Sequence, residues 1–198
     1  MPRPRKFDES EVVAAARDEF WARGYAATSV DDLTSVTGLG KGSLYGAFGD
    51  KHRLFLRALD DYITTALEGV RAQLRDPARN AYDRLTGHIR AQVKALAADK
   101  ARRGCMMAKS AAELGAVDDD VERTVERAYA EWHAELAHCI REAQRDGAID
   151  RKQSPQALAT TVLAFMRGQE ALHKAGVKSA QLKTSAEQMI ALIPTGPN

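Results

Sequence analysis

Apolar residues recur along most of this chain at intervals of three and four, the spacing that gathers side chains on one face of a helix. Val12 or Val13, Ala16 and Phe20 form the first stripe. Asp8 and Glu11 stand where a capping box opens a helix, Phe7 and Val12 serve as its hydrophobic staple, and Gly24 closes it. Thr28 or Ser29, each followed three residues on by an Asp, caps a second helix in which Leu33 and Val36 share a face and Gly38 supplies a left-handed stop. Leu44 and Phe48, four apart, mark a third helix too short to stand alone, so packing by these two residues and by Leu39 in the turn must pin it. Asp50 then caps a long fourth helix, from about Lys51 to Leu74, with Leu54, Phe55, Ala58, Leu59, Tyr62 and Leu67 inward and Asp76-Pro77 as its stop.

The remainder carries the same period. Leu85, Ile89, Val93 and Leu96 predict a fifth helix from Arg79 to about Ala98. Cys105 to Leu114 reads as a short sixth, with Lys109 and Glu113 spaced as a surface ion pair. Val121, Val125, Ala128, Trp132, Leu136, Ile140 and Ala143 keep one stripe from Asp119 to Asp146, where Gly147 ends it. Ser154-Pro155 opens an eighth helix through Leu158, Val162, Phe165 and Leu172, and Ser179 a ninth through Leu182, Ala186, Met189, Ile190 and Ile193. No stretch alternates like a strand, and there is no internal repeat. The expectation is an all-α chain of about nine helices.

Composition narrows the function classes. At 198 residues the chain can bury a substantial core in one large domain or two small ones. Its formal net charge is only +2, so any nucleic-acid affinity must come from a local patch, for which Arg3, Arg5 and Lys6 are the nearest candidate. No apolar run approaches membrane-span length and the basic N-terminus lacks a signal peptide's apolar core, so a cytoplasmic location is expected. Cys105 and Cys139 lie far apart without a paired-Cys motif, which argues against a zinc site and against a disulfide scaffold. No metal or cofactor is expected.

The stretch from Leu33 to Lys51 carries the chemistry. Helix, tight turn and short helix leave Lys41, Gly42, Ser43, Gly46 and Ala47 as a small, polar outer surface suited to lying against something large. A DNA-binding helix-turn-helix presents the start of its second helix to base edges in the major groove, whereas an ordinary surface hairpin has the same pattern. Context separates the two. Phe20, Gly24, Tyr25, Thr28, Ser29, Val30, Leu33, Gly38, Lys41, Gly42, Ser43, Leu44, Tyr45, Phe48, Lys51, Leu54 and Phe55 stand in an order and spacing that strongly resemble the DNA-binding domain of the TetR family of transcriptional regulators. Gly40 departs from the family's frequent Ser or Thr cap, and Gly46-Ala47 from its bulkier residues, which bears on the operator sequence.

That resemblance implies residues 1–50 as the DNA-binding domain, with a basic arm over 1–7, and 51–198 as a ligand-binding and dimerisation domain joined through helix four (51–75). Carried onto matching positions, Lys41 and Ser43 reach base edges, Gly42 allows close approach, Tyr45 and Lys51 contact phosphates, and Thr28 or Ser29 clamps the backbone. Arg3 and Arg5 are placed to enter the adjacent minor groove or to form a solvated tail. One short recognition helix suits a half-site, so a homodimer on a double-stranded, pseudo-palindromic operator is expected. By resemblance its seam is the last two helices, through Phe165, Gly168, Leu172, Leu182, Met189 and Ile193, although covering the monomer core would give the same periodicity.

The second domain resembles the family's effector-binding region. A small-molecule pocket is expected among helices five to eight, walled by Met106, Met107, Trp132, Phe165 and Met166, with His88, His133 and Glu170 as polar handles; each also suits an ordinary core or surface place. Cys105 follows Arg102-Arg103-Gly104 near a helix start, where nearby cations activate a thiol, and resembles a Gly-Cys of relatives that sense electrophiles or oxidants; its alternative is a small hydrophobe in the wall. His133 and His138 fall on different helical faces, and no phosphate loop or nucleophile elbow is present, so an enzyme is not expected. The expectation is a repressor released by a small molecule, with an activator or a helical protein-interaction module as alternatives.

Overall fold

The computed structural model describes residues 7–196. As the periodicity predicts, the described residues form nine α-helices and no strand: α1 (Glu9–Arg23), α2 (Val30–Thr37), α3 (Lys41–Phe48), α4 (Lys51–Leu74), α5 (Ala81–Ala98), α6 (Met106–Leu114), α7 (Asp119–Arg145), α8 (Pro155–Lys174) and α9 (Ser179–Ala191). Caps set the starts. Asp8 accepts the Ser10 N–H at 2.8 Å ahead of α1, Asn80 the Asp83 N–H at 2.8 Å ahead of α5, and Ser154 the Ala157 N–H at 3.2 Å ahead of Pro155.

The chain packs as two compact units, one of residues up to Thr65 with Cys105–Val125, the other of Ala66–Gly104 with everything from Glu126. The division therefore falls within α4 rather than at residue 50, and α6 falls in the same unit as α1 to α3. The reason is polar as well as apolar, because α6 supplies side chains to the backbone that follows α1, described below.

Aromatic packing centres the first unit. The Phe20 ring meets Phe55 edge-on at 5.1 Å, Tyr25 lies 5.0 Å from Phe55, and Trp21 meets Tyr62 at 5.0 Å. Ala16, Leu33, Leu44, Phe48, Leu54 and Leu59 close the core around them. Val36 does not share Leu33's burial: it is 43% exposed, because three residues along a helix leave it about 60° around the axis from Leu33.

In the second unit α5 packs on both α8 and α9, which also pack on each other. Leu85, Ile89, Leu136 and Ile140 are fully enclosed. A bidentate Arg75–Glu135 pair at 2.7 Å and an Arg84–Glu142 pair at 2.9 Å tie its helices. The chain end returns to the α7–α8 turn, where Ile149 bridges Thr195 and the Asp150 N–H donates to the Pro194 carbonyl.

Candidate nucleic-acid interface

The hairpin of α2 and α3 is built by its caps. Ser29 caps α2: its hydroxyl accepts the Asp32 N–H at 3.1 Å, and the Asp32 carboxylate accepts the Ser29 N–H at 2.8 Å and its hydroxyl at 2.6 Å. Those bonds, with Arg23 beside them at 2.7 Å, pull the Asp32 carboxyl down to about 2. Thr28 is the other possible cap, and it serves differently. It is fully buried, with its hydroxyl donated to the Gly24 carbonyl at 2.6 Å, so it braces the corner after α1 and is removed from any phosphate. Of the two expected backbone clamps only Ser29 is exposed.

Gly38 ends α2 in the left-handed region at φ 68°, a conformation that costs glycine little. Gly40 follows as the start residue of α3 without a side-chain cap. The first N–H groups of a helix lack the usual intrahelical partner, and Gly40 offers them no side-chain acceptor, although the Ser43 N–H turns back to the Gly40 carbonyl at 3.0 Å. Leu44 and Phe48 are buried, as two pins four apart should be, and Lys41, Gly42, Ser43, Tyr45 and Gly46 are exposed. Nothing lies within 4 Å of the place a Cβ would take at Gly42 or Gly46, so the glycines keep this surface low.

The three candidate side chains here sit in different environments. Tyr45 is 42% exposed, which favours contact with a ligand over core packing. Lys41 is exposed and its ammonium meets the Asp31 carboxylate at 2.8 Å, which holds its pKa above the usual lysine value. An ion pair this exposed contributes little and exchanges readily for a phosphate or a base. Lys51, the first residue of α4, rests its ammonium 4.2 Å above the Tyr25 ring, where burial lowers its pKa against the pull of Glu113 and Asp32. Arg3 and Arg5 lie outside the described residues.

Sequence reasoning passes over the part of the interface that holds it in place. Tyr25 is a hub: its ring carries Lys51 and touches Phe55 and His52, and its backbone N–H donates to Glu113 of α6 at 3.0 Å. The Ala26 N–H donates to the same carboxylate at 2.6 Å. Lys109 donates to the Trp21 and Ala22 carbonyls at 3.1 and 2.9 Å. Lys109 and Glu113 thus reach the end of α1, where their spacing suggests only a surface pair along α6.

The expected effector residues divide between the units. Cys105, Met106 and Met107 are buried in the first, with Cys105 as the start residue of α6. In the second, Trp132 donates its indole N–H to His88 Nε2 at 3.1 Å, His88 Nδ1 meets Gln73 Oε1 at 2.7 Å, and Arg167 lies 4.9 Å over the Trp132 ring. Burial, with Arg167 nearby, lowers the His88 pKa to about 4, so it is a neutral core histidine with both ring nitrogens engaged. Met166 is buried and Glu170 pairs with Arg167 at 2.8 Å. His133 is not a pocket handle: its Nε2 meets the Gln156 carbonyl at 3.0 Å and the Thr160 hydroxyl at 3.1 Å, at the start of α8. Cys139 donates to the Ala81 carbonyl at 3.2 Å, and burial pushes its thiol up to about 11.

The expected seam residues also divide. Leu182 and Ile193 are buried within the monomer, because they face inward from α9 and just beyond it. Phe165 and Met189 are half-buried, and Gly168 and Leu172 exposed. Phe165 and Met189 line a groove of about 610 Å³ with Ala180, Gln181, Thr184 and Leu192 among its walls.

Comparison with known proteins decides the family. A model described as bacterial regulatory proteins, tetR family, matches residues 12–58, and one described as tetracyclin repressor-like, C-terminal domain, matches residues 81–189. The chain belongs to the TetR family. It is therefore a DNA-binding transcriptional regulator of the helix-turn-helix type. The HTH-type transcriptional repressor ComR of Escherichia coli (strain K12) is 26% identical over 192 residues, 97% of this chain and 91% of ComR. The repressor DhaR of Mycobacterium sp. (strain GP1) is 27% identical over 157 residues, 79% of this chain and 77% of DhaR. Among solved structures, a cysteine mutant of the TetR-family regulator CifR complexed with 26-bp double-strand operator DNA superposes with a TM-score of 0.78 at 26% identity, over 97% of this chain and all of that one. Reduced NemR of E. coli shares the fold, with a TM-score of 0.86 at 16% identity over 96% and 98%. These relatives are regulators rather than enzymes, and no described helix is long and apolar enough to cross a membrane.

Proposed function

We propose that the protein is a cytoplasmic, homodimeric repressor that binds a pseudo-palindromic operator through α3 of each protomer and leaves it when a small molecule biases the second unit. The observation that carries this reading is the outer face of α3. Lys41, Ser43 and Tyr45 stand exposed over two glycines and an uncapped helix start, while Leu44 and Phe48 are consumed in the core. Lys41 and Ser43 read base edges, Tyr45, Lys51 and Ser29 hold phosphates, and Arg3 and Arg5 supply an arm. The operator complex of CifR, a relative of similar length, supports that placement.

The dimer rests on α8 and α9. Leu172 is 46% and Leu192 67% exposed, Gly168 leaves its surface open, and Phe165 and Met189 line the groove beside them. Large apolar side chains exposed together mark an interaction surface. The effector binds the spacing of the two α3 helices that does not fit DNA more tightly than the one that does, and α4 carries the difference. Trp132 and Met166, both in the second unit, are the adaptable walls, and Cys105, buried in the first unit, serves as sensor thiol if the effector is an electrophile or oxidant. The test is selection of duplexes from a random library by the full-length protein, with protomers counted per bound duplex. Two or more protomers on a sequence with dyad symmetry support the reading; failure to enrich any sequence contradicts it.

A further inference from the structure

The end of α1 and its exit toward α2 carry a cluster of polar groups that direct readout of DNA does not use. The last carbonyls of a helix lack intrahelical partners, and here those of Trp21 and Ala22 both accept from Lys109 Nζ. A cation at a helix C-terminus is also favoured by the helix dipole. Immediately beyond, the Tyr25 and Ala26 N–H groups converge on the two oxygens of Glu113. The Gly24 carbonyl accepts from Thr28 and the Gly24 N–H donates to Phe20. The corner that aims α2, and through Gly38 aims α3, is thus held by four bonds from two side chains of α6.

Gly24 fits the same arrangement. Its φ of 91° favours glycine, and a Cβ there would come within 2.8 Å of Glu113 Oε2. The glycine that resembles a family motif position makes room for a carboxylate supplied from a helix far along the chain.

We infer that Lys109 and Glu113 are positioning residues for operator binding, a clamp by which α6, outside the matched helix-turn-helix segment, fixes the corner that orients the recognition helix. The inference rests on the operator-binding reading above. Neither residue touches DNA in this role, so each acts on affinity without adding a phosphate contact.

The experiment uses the full-length protein and a duplex that the wild type has selected from a random library, with affinity read by fluorescence anisotropy across a salt series. Lys109→Met with Glu113→Gln is expected to weaken binding about tenfold or more, within the range of couplings carried between sites. The slope of log affinity against log salt should stay that of the wild type, since no phosphate contact is removed. Lys109→Arg, which keeps a cationic donor, should restore most of the affinity. Hydrogen exchange at the Tyr25 and Ala26 amides should quicken in the double variant while amides of α5 and α8 keep their protection. If the double variant fails to fold, Glu113→Gln alone is read by affinity, salt slope and hydrogen exchange.

Unchanged affinity in a variant whose Tyr25 and Ala26 amides exchange faster overturns the inference. So does a loss of affinity that Lys109→Arg leaves uncorrected and that runs parallel to a loss of protection throughout the protein. A wild type that selects no duplex overturns the operator reading itself, and is thereby told apart from failure of the clamp.

Discussion

At the scale of single residues, the proposed interface separates side chains expected to read bases from side chains expected to hold phosphates. Tyr45→Phe removes one hydroxyl from an exposed position, so operator affinity should fall by a few-fold to about tenfold, the worth of one hydrogen bond, with thermal stability unchanged. Lys51→Met should weaken all duplexes alike and lower the salt slope by about one, whereas Lys41→Met should relax sequence preference at one position of each half-site. Anisotropy titrations on the selected duplex and its point variants measure both. His88 gives a prediction of another kind. Its folded-state pKa of about 4 lies below the ordinary value of 6.5, so its contribution to stability is full above about 6.5 and is lost as pH falls toward 4. The thermal midpoint followed by circular dichroism should decline across pH 6.5 to 5, and His88→Gln should flatten that part of the profile. A profile identical in the variant would mean the histidine is not held neutral by burial.

At the scale of elements, the long helices were legible and the short ones were legible only in part. The stripe from Val121 to Ala143 repeats often enough to define α7, and Ser154-Pro155 marks the start of α8 without ambiguity. In α2 the period is nearly uninformative, since eight residues bury Leu33 and leave Val36 outside. Thr28 and Ser29 look equivalent on paper because both precede an Asp by three; the choice falls to Ser29 because the Thr28 hydroxyl is committed to Gly24 inside the corner. The α3 face was readable from resemblance, and its exposure follows from two buried pins. The clamp on the corner was not readable, because Glu113 and Tyr25 are 88 residues apart and local spacing carries no trace of such a contact. For α9, periodicity merges two faces that burial separates: Leu182 and Ile193 inward, Leu192 outward. Leu172→Glu with Leu192→Glu should therefore convert a dimer to a folded monomer, with stability within about 0.5 kcal/mol as for other surface changes, whereas Leu182→Glu should unfold the chain. Sedimentation velocity distinguishes these results, and a double variant that sediments as the wild-type dimer would place the seam elsewhere.

At the scale of the whole molecule, two units share two helices. α4 and α7 each contribute residues to both, and α6 belongs with the helix-turn-helix although it lies within the matched C-terminal segment. In the proposed dimer, two recognition helices that must match the spacing of one groove repeat would turn a weak half-site contact into a specific one. The small face of α3, with Gly46 and Ala47 in place of bulkier groups, leaves few side chains to read bases, so affinity should lean on phosphate contacts and on the local shape of the duplex. Sequence-specific DNA binding through α3 is tested by a salt titration of the full-length protein on its selected duplex. A steep linear fall of log affinity with log salt, together with a large loss when the half-sites are scrambled, is the predicted result. A flat salt dependence, or equal affinity for the scrambled duplex at every salt concentration, would contradict it.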